Sequence, residues 1–245
     1  MVEWSNRTLR LPAFVDYPGA VNGLQVENQG RVHRIAAAVD ASFTTVRKAV
    51  SQGANLLVVH HGLFWGTTHP WTGRRYALIR ELMDSDMAVY SAHLPLDAHP
   101  RLGNNALLGR ALGLGRGRPF FEHQGAKIGL RFETRLPRLE LNRRMGGVLR
   151  VPPILIPGGP ELCRQVGVIT GGGGSEIVKV AQESVDTFVT GEGQHWTAAL
   201  AEDLGVNLFY GGHYATETFG VKALAAALSD RFNVPWSFVD HPTGL

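Results

Sequence analysis

The 245-residue chain predicts an α/β fold made of two similar halves, each with a mixed, largely parallel sheet flanked by helices. Three observations predict it. The first third alternates strand and helix signals in a βαβα rhythm, the pattern of parallel strands joined by helical crossovers. The same rhythm returns after residue 164. Between the two, a stretch rich in Arg, Gly and Pro interrupts it. The expected organisation is an N-terminal α/β half over 1–114, a basic connecting segment over 115–164 and a C-terminal α/β half over 165–245. The two halves are alike in plan but show no close sequence repeat.

In chain order, VHRIAAAVD (32–40) reads as a strand. Asp40 or Ser42 can cap the following helix, with Asp40 favoured, and Gly53 closes it. NLLVVH (55–60) is a second strand, rich in Leu and Val. A loop containing Trp65 and Trp71 runs to Gly73, and these two indoles suit a pocket wall or an oligomer contact. A helix follows over about 75–85, then the strand MAVYSAH (87–93) and a helix over 104–112 ended by Gly113. In the middle segment only AKIGLRFET shows weak strand alternation. The second half reads strand, Gly171–Gly174 loop, helix, VDTFVTGE, helix, VNLFYGG, a long helix over about 215–228 and a last strand, WSFVD.

Composition narrows the chemistry. The single cysteine, Cys163, excludes an internal disulfide and a thiolate-rich metal site, so any metal must use His, Asp and Glu. The N-terminal residues have no apolar signal core, and no run approaches ~18 apolar residues. The expectation is a cytoplasmic protein without a membrane partner. Residues 101–150 hold eleven Arg or Lys against three acids, a local charge of +8 in a chain of net +3. Such a block suits phosphate or nucleic acid, but no aromatic residues interleave as a stacking platform. A solvated arginine-rich face is the favoured reading.

The chemistry-bearing residues gather at element ends, where α/β proteins place their sites. The strand NLLVVH runs into His60 and His61 and then Gly62, which permits a backbone turn. Side chains of neighbouring strand residues point to opposite faces, so one site can use both histidines only if the chain turns. The strand before SAHLPLDA ends at His93, with Asp97 four residues on. His213 and Glu217, in GGHYATETFG, share one helix face at a spacing of four. Glu192 and His195 follow another strand end. His195 reads as a loop or packing residue, and His69, His99 and His123 carry no assigned role. The Gly171–Gly174 run resembles a phosphate loop but lacks a Walker lysine, and close packing is the favoured reading. A sulfur-free His and carboxylate set suits Zn, Mn, Fe, Co or Ni.

VVHHGLFW, SAHLPLDA followed by GNNALL, and GGHYATETFGVKAL together resemble the Nif-three-like dinuclear metal centre family, the GTP cyclohydrolase 1 type 2 homologues. NGLQVE at 22–27, TGGGGSEI and VTGE fit the same pattern, so the resemblance covers nearly the whole chain. It implies the metal ligands His60, His61, Asp97, His213 and Glu217. His61 and Asp97 would serve one ion, His60 and His213 the other, with Glu217 bridging. Tyr214 stands where the family often has a second histidine of the helix motif. The resemblance also implies two halves meeting over a dimetal cleft as one metal-binding unit, two divalent ions per chain, and a toroidal homohexamer.

The resulting expectation is a metal-dependent hydrolase that uses a metal-activated hydroxide on a small anionic, nucleotide-like substrate. Two divalent ions with two carboxylates and three neutral imidazoles keep a charge of about +2, which attracts phosphate or carboxylate. His93 and Glu192 are expected to orient a ligand or transfer a proton. The alternative is a non-catalytic ring-shaped module that handles metal or binds nucleic acid or protein.

Overall fold

A computed structural model describes residues 1–66 and 69–245. Its first elements are α1 (Val2–Leu9), β1 (Gly23–Val26), β2 (Ile35–Asp40), α2 (Phe43–Ser51), β3 (Leu56–His61), α3 (Gly73–Asp84), β4 (Ala88–Ser91), the single turn α4 (Leu94–Asp97) and α5 (Asn104–Ala111). Then come β5 (Arg118–His123), β6 (Ala126–Pro137), α6 (Arg138–Leu149), β7 (Ile154–Pro157), β8 (Leu162–Val168) and α7 (Ile177–Gln182). The last are β9 (Thr187–Thr190), α8 (Thr197–Asp203), β10 (Asn207–Tyr210), α9 (His213–Phe232) and β11 (Trp236–Phe238). The fold is mixed α/β with two sheets flanked by helices, as expected. The expected loop from Gly62 to Gly73 includes 67 and 68, which lie outside the described residues.

Contacts divide the chain into two compact units, Met1–Leu96 with Gly220–His241, and Asp97–Phe219 with Pro242–Leu245. The first unit holds a five-stranded sheet in the order β1-β4-β3-β2-β11. β11, β2, β3 and β4 are parallel, and β1 adds antiparallel at one edge. The central strands are apolar on both faces, as parallel strands covered by helices must be. Leu57 and Val59 of β3 pack with Ala36 and Ala38 of β2, Val89 of β4 and Val46 and Ala49 of α2. Each fully buried Leu or Val contributes roughly 1.5–3 kcal/mol. α2 starts at Ser42, whose hydroxyl accepts the Thr45 N–H while Thr45 Oγ1 accepts the Ser42 N–H. Ser42 is therefore the cap, and Asp40 is left for another task.

The second unit holds a six-stranded sheet in the order β5-β6-β8-β9-β10-β7. Only β8, β9 and β10 are parallel; β5, β6 and β7 pair antiparallel. Residues 115–164, expected as a connecting segment, thus build half of this sheet and a helix. Leu130, Phe132 and Leu136 of β6 enter the core, while Glu133 and Arg135 between the last two are exposed. α6 buries Leu141, Met145 and Leu149, one stripe at a spacing of four, against Leu108, Leu112 and Phe132. The unit boundaries also differ from the expected 114/115 and 164/165. β11 pairs in parallel with β2, and Lys222 of α9 lies over the Phe238 ring at 4.1 Å, which ties residues 220–241 to the first unit. α5 instead belongs to the second, where Gly109 lies against the Phe132 ring. Among the described residues, no helix is long and apolar enough to cross a membrane.

Candidate metal centre

In the first unit, β3 carries His60 and His61 at its tip, and His93 follows β4. One ring nitrogen from each of the three lies within 4.8 Å of the others. Their ring centroids are 4.8 Å (His60–His61), 4.8 Å (His60–His93) and 5.6 Å (His61–His93) apart. The chain bends after His61, and Gly62 leaves room there for a side chain from β1. A Cβ at Gly62 would run into the Gln25 amide, whose Oε1 accepts the Leu63 N–H at 2.6 Å. His93, expected from the sequence to orient a ligand or transfer a proton, stands beside the pair.

Each imidazole is held by Nδ1. His60 Nδ1 donates to the Ala92 carbonyl at 2.8 Å. His61 Nδ1 donates to Asp40 Oδ1 at 2.8 Å. His93 Nδ1 donates to Asp16 Oδ1 at 2.8 Å. An N–H committed at Nδ1 fixes the tautomer and makes Nε2 the lone-pair nitrogen, the one that can ligate a metal. Asp40 is thus a histidine-orienting acid, which corrects its reading as a helix cap. The reason is register: Asp40 sits opposite His61 in the β2–β3 pairing. Asp16 is buried, and burial alone would raise its pKa. His93, Asn22 and the Tyr17 N–H outweigh that and hold it down at about 2.

In the second unit, Asp97 and Glu217 are buried, 6% and 2% exposed, with carboxylate oxygens within 4.8 Å of each other. Two buried carboxylates this close repel unless a cation or proton lies between or beside them. Asp97 Oδ1 accepts from Asn104 Nδ2 at 2.7 Å and from Thr170 Oγ1 at 3.2 Å, which fixes its orientation. Glu217 lies on α9 one turn after His213, whose Nε2 is 3.2 Å from Glu217 Oε2. His213 Nδ1 donates to Glu192 Oε1 at 2.9 Å, the same arrangement as in the other three imidazoles. Burial opposes charge on His213, but Glu217 and then Glu192 outweigh it and raise its pKa to about 9. A proton there neutralises carboxylates that a metal ion would otherwise neutralise.

Gly171 makes room for this arrangement. Its φ is +71°, and its missing Cβ position is occupied by Glu217 Oε1, with His213 Nε2 3.2 Å away. The Gly171 carbonyl accepts the Gly191 and Glu192 N–H groups, and Gly174 approaches Gly193. The glycine run therefore serves close packing around the acids, as favoured from the sequence. Several arginines of the basic block are engaged: Arg143 and Arg144 with Glu140, Arg118 with Glu133, Arg131 with the Glu183 carbonyl and Arg138 with the Gly159 carbonyl.

Two functional residues escaped the sequence, Asp16 and the orienting role of Asp40. A carboxylate ending β2 beside a strand that ends in two histidines was a readable signal for Asp40. Asp16 lies 77 residues from His93, with no local pattern to mark it.

The residues also match known proteins. The family model Duf34/NIF3 (NGG1p interacting factor 3) matches residues 4–243. A protein of Deinococcus radiodurans named GTP cyclohydrolase 1 type 2 homolog is 41% identical, over 100% of this chain and 93% of its own. One of Halobacterium salinarum with the same name is 43% identical, over 98% and 96%. The crystal structure of TTHA1606 from Thermus thermophilus superposes with a TM-score of 0.92 at 40% identity, covering 100% of this chain and 98% of that one. The chain belongs to the Duf34/NIF3 family.

Proposed function

We propose that the protein is a dinuclear metal-dependent hydrolase acting on a small anionic substrate. The observation that carries this is the uniform preparation of donors: His60, His61, His93 and His213 each have Nδ1 fixed by an acceptor. Core histidines that merely pack have no reason all to present Nδ1 to an acceptor. The family resemblance adds the buried Asp97 and Glu217 to a sulfur-free donor set, and the space that Gly171 leaves for Glu217 fits the same purpose. By the family resemblance, His60, His61, Asp97, His213 and Glu217 would hold the two ions.

Two divalent cations supply a water of lowered pKa and a Lewis acid for an anionic oxygen. The chain's own residues do the rest. Asp40 and the Ala92 carbonyl hold the imidazoles of His61 and His60 in orientation. Asn104 and Thr170 hold Asp97. Asp16 accepts from His93 Nδ1 and so orients that imidazole, whose Nε2 would accept a proton from the attacking water and return it to the leaving group. Glu192, half-exposed and bonded to His213, offers a second proton acceptor at the rim.

Metal analysis of the purified protein tests the site. It should give about two divalent ions per chain, and His61→Ala and Glu217→Ala should each lose at least one. Full occupancy in both variants refutes the assignment. Phosphoesters and nucleotides screened with and without added Mn or Zn test the reaction, and no metal-dependent turnover across the panel overturns the hydrolase reading.

A further inference from the structure

The histidine group of the first unit is edged by two aromatic rings. Trp65 stands nearly perpendicular to His93, with centroids 4.8 Å apart and planes at 87°, and edge-on to His61 at 5.6 Å. Tyr17 lies beside His93 at 5.8 Å. Both are large apolar surfaces left to solvent, Trp65 at 37% and Tyr17 at 44% exposure. They are not on loose chain. Pro18 O accepts the Gly66 N–H at 3.1 Å, and Gln25 Oε1 accepts the Leu63 N–H. Gly19 lies so close to the Gly66 backbone that a Cβ would overlap it. Asn22 donates to Asp16 Oδ2 and accepts the His93 N–H at 2.7 Å. The 16–25 segment and the 62–66 loop are thus one hydrogen-bonded rim around the imidazoles, which holds both rings in place before any ligand arrives.

We propose that Trp65 and Tyr17 form a ring-binding platform that selects anions carrying a planar aromatic or heteroaromatic group. The anion goes to the cation held by the imidazoles, and the ring lies against the indole and phenol. This rests on the metal reading above. A preorganised aromatic surface beside a cationic centre rewards this combination, because stacking needs no further ordering of the protein. An alkyl anion of the same charge gains only the electrostatic part.

The probes are 1-naphthyl phosphate and ethyl phosphate, titrated calorimetrically into the protein with its metal. The wild type is expected to bind the naphthyl ester about tenfold more tightly, the order of one base–aromatic stack. Trp65→Leu should lower affinity for the naphthyl ester far more than for the ethyl ester and so remove most of that preference, with metal content retained, while Trp65→Phe should restore part of it. Tyr17→Leu should reduce the preference less. Equal affinities in the wild type, no binding of the naphthyl ester at millimolar concentration, or a preference that survives Trp65→Leu would each overturn the proposal. The metal reading is separable. His61→Ala should weaken both esters alike, and an aryl preference that persists undiminished in chelator-stripped protein keeps the platform and refutes the cation's part in it.

Discussion

Gly171→Ala probes the acid cradle directly, and the structure supplies its control. Gly171 and Gly53 share a φ of +71°. In this region an L side chain costs about 1–2 kcal/mol. A Cβ at Gly53 meets nothing within 4 Å, whereas at Gly171 it overlaps Glu217 Oε1 and approaches His213 Nε2 at 3.2 Å. Gly53→Ala therefore reports backbone strain alone, and Gly171→Ala reports the same strain plus displacement of Glu217. The atom in the way ends a side chain, so Glu217 moves and the backbone stays. The added loss of stability is modest, about 1 kcal/mol. At about 2–4 °C per kcal/mol for a chain of this size, Gly53→Ala should lower the melting temperature by roughly 2–8 °C and Gly171→Ala by a few degrees more. The larger effect is on metal. Gly53→Ala should retain the full complement in elemental analysis, and Gly171→Ala should lose at least one ion per chain. Equal metal content in the two variants refutes the argument that Gly171 exists to seat Glu217.

Asp16 has a folded pKa of about 2 against an ordinary 3.8, so its contribution is full above about pH 4 and is lost as pH falls through 2. Asp16→Asn should thus destabilise by about 2 kcal/mol at pH 7 in urea titration and by much less near pH 2, and a pH-independent difference would count against the His93 pairing. Phe132→Ala, in the core of the second unit, should lower stability by about 3–5 kcal/mol, and denaturation within 1 kcal/mol of wild type would contradict its packing. Light scattering after size exclusion should give about six times the 26.6 kDa of one chain, and a monomer mass would refute the hexamer expected from the family. If the arginine block bound nucleic acid, affinity would fall steeply with salt; with several of its arginines already paired, no salt-dependent binding is expected in a gel-shift series.

Strands β2, β3 and β4 and helix α2 were legible because their apolar runs and cap are local, whereas β1 showed no strand signal. The cluster at the tip of β3 was legible because His60 and His61, ambiguous alone, stood beside a strand-tip Asp97 and the one-turn spacing of His213 and Glu217. What the sequence hid depends on distance. α6 was hidden by its arginines and by Gly146 and Gly147, which dilute a stripe at Leu141, Met145 and Leu149 that only packing reveals. Asp40 carried the signature of a helix cap, and the neighbouring strand decided otherwise. Asp16 and His93 meet through a loop with no periodicity to read. The pairing of β11 with β2 spans almost the whole chain, and no local pattern encodes it.

That last pairing constrains synthesis. β2 ends at residue 40, but its partner on one side, β11, begins at residue 236. On the ribosome, once β4 ends at Ser91 the first unit's sheet must wait with an open, apolar edge while about 145 further residues emerge. An open edge is a template for wrong partners. The second unit, whose strands all lie between residues 118 and 210, has its sheet sequence complete earlier. The nascent chain is therefore most exposed to aggregation late in translation, and a ribosome stalled before residue 236 should release a species that chaperones bind through β2.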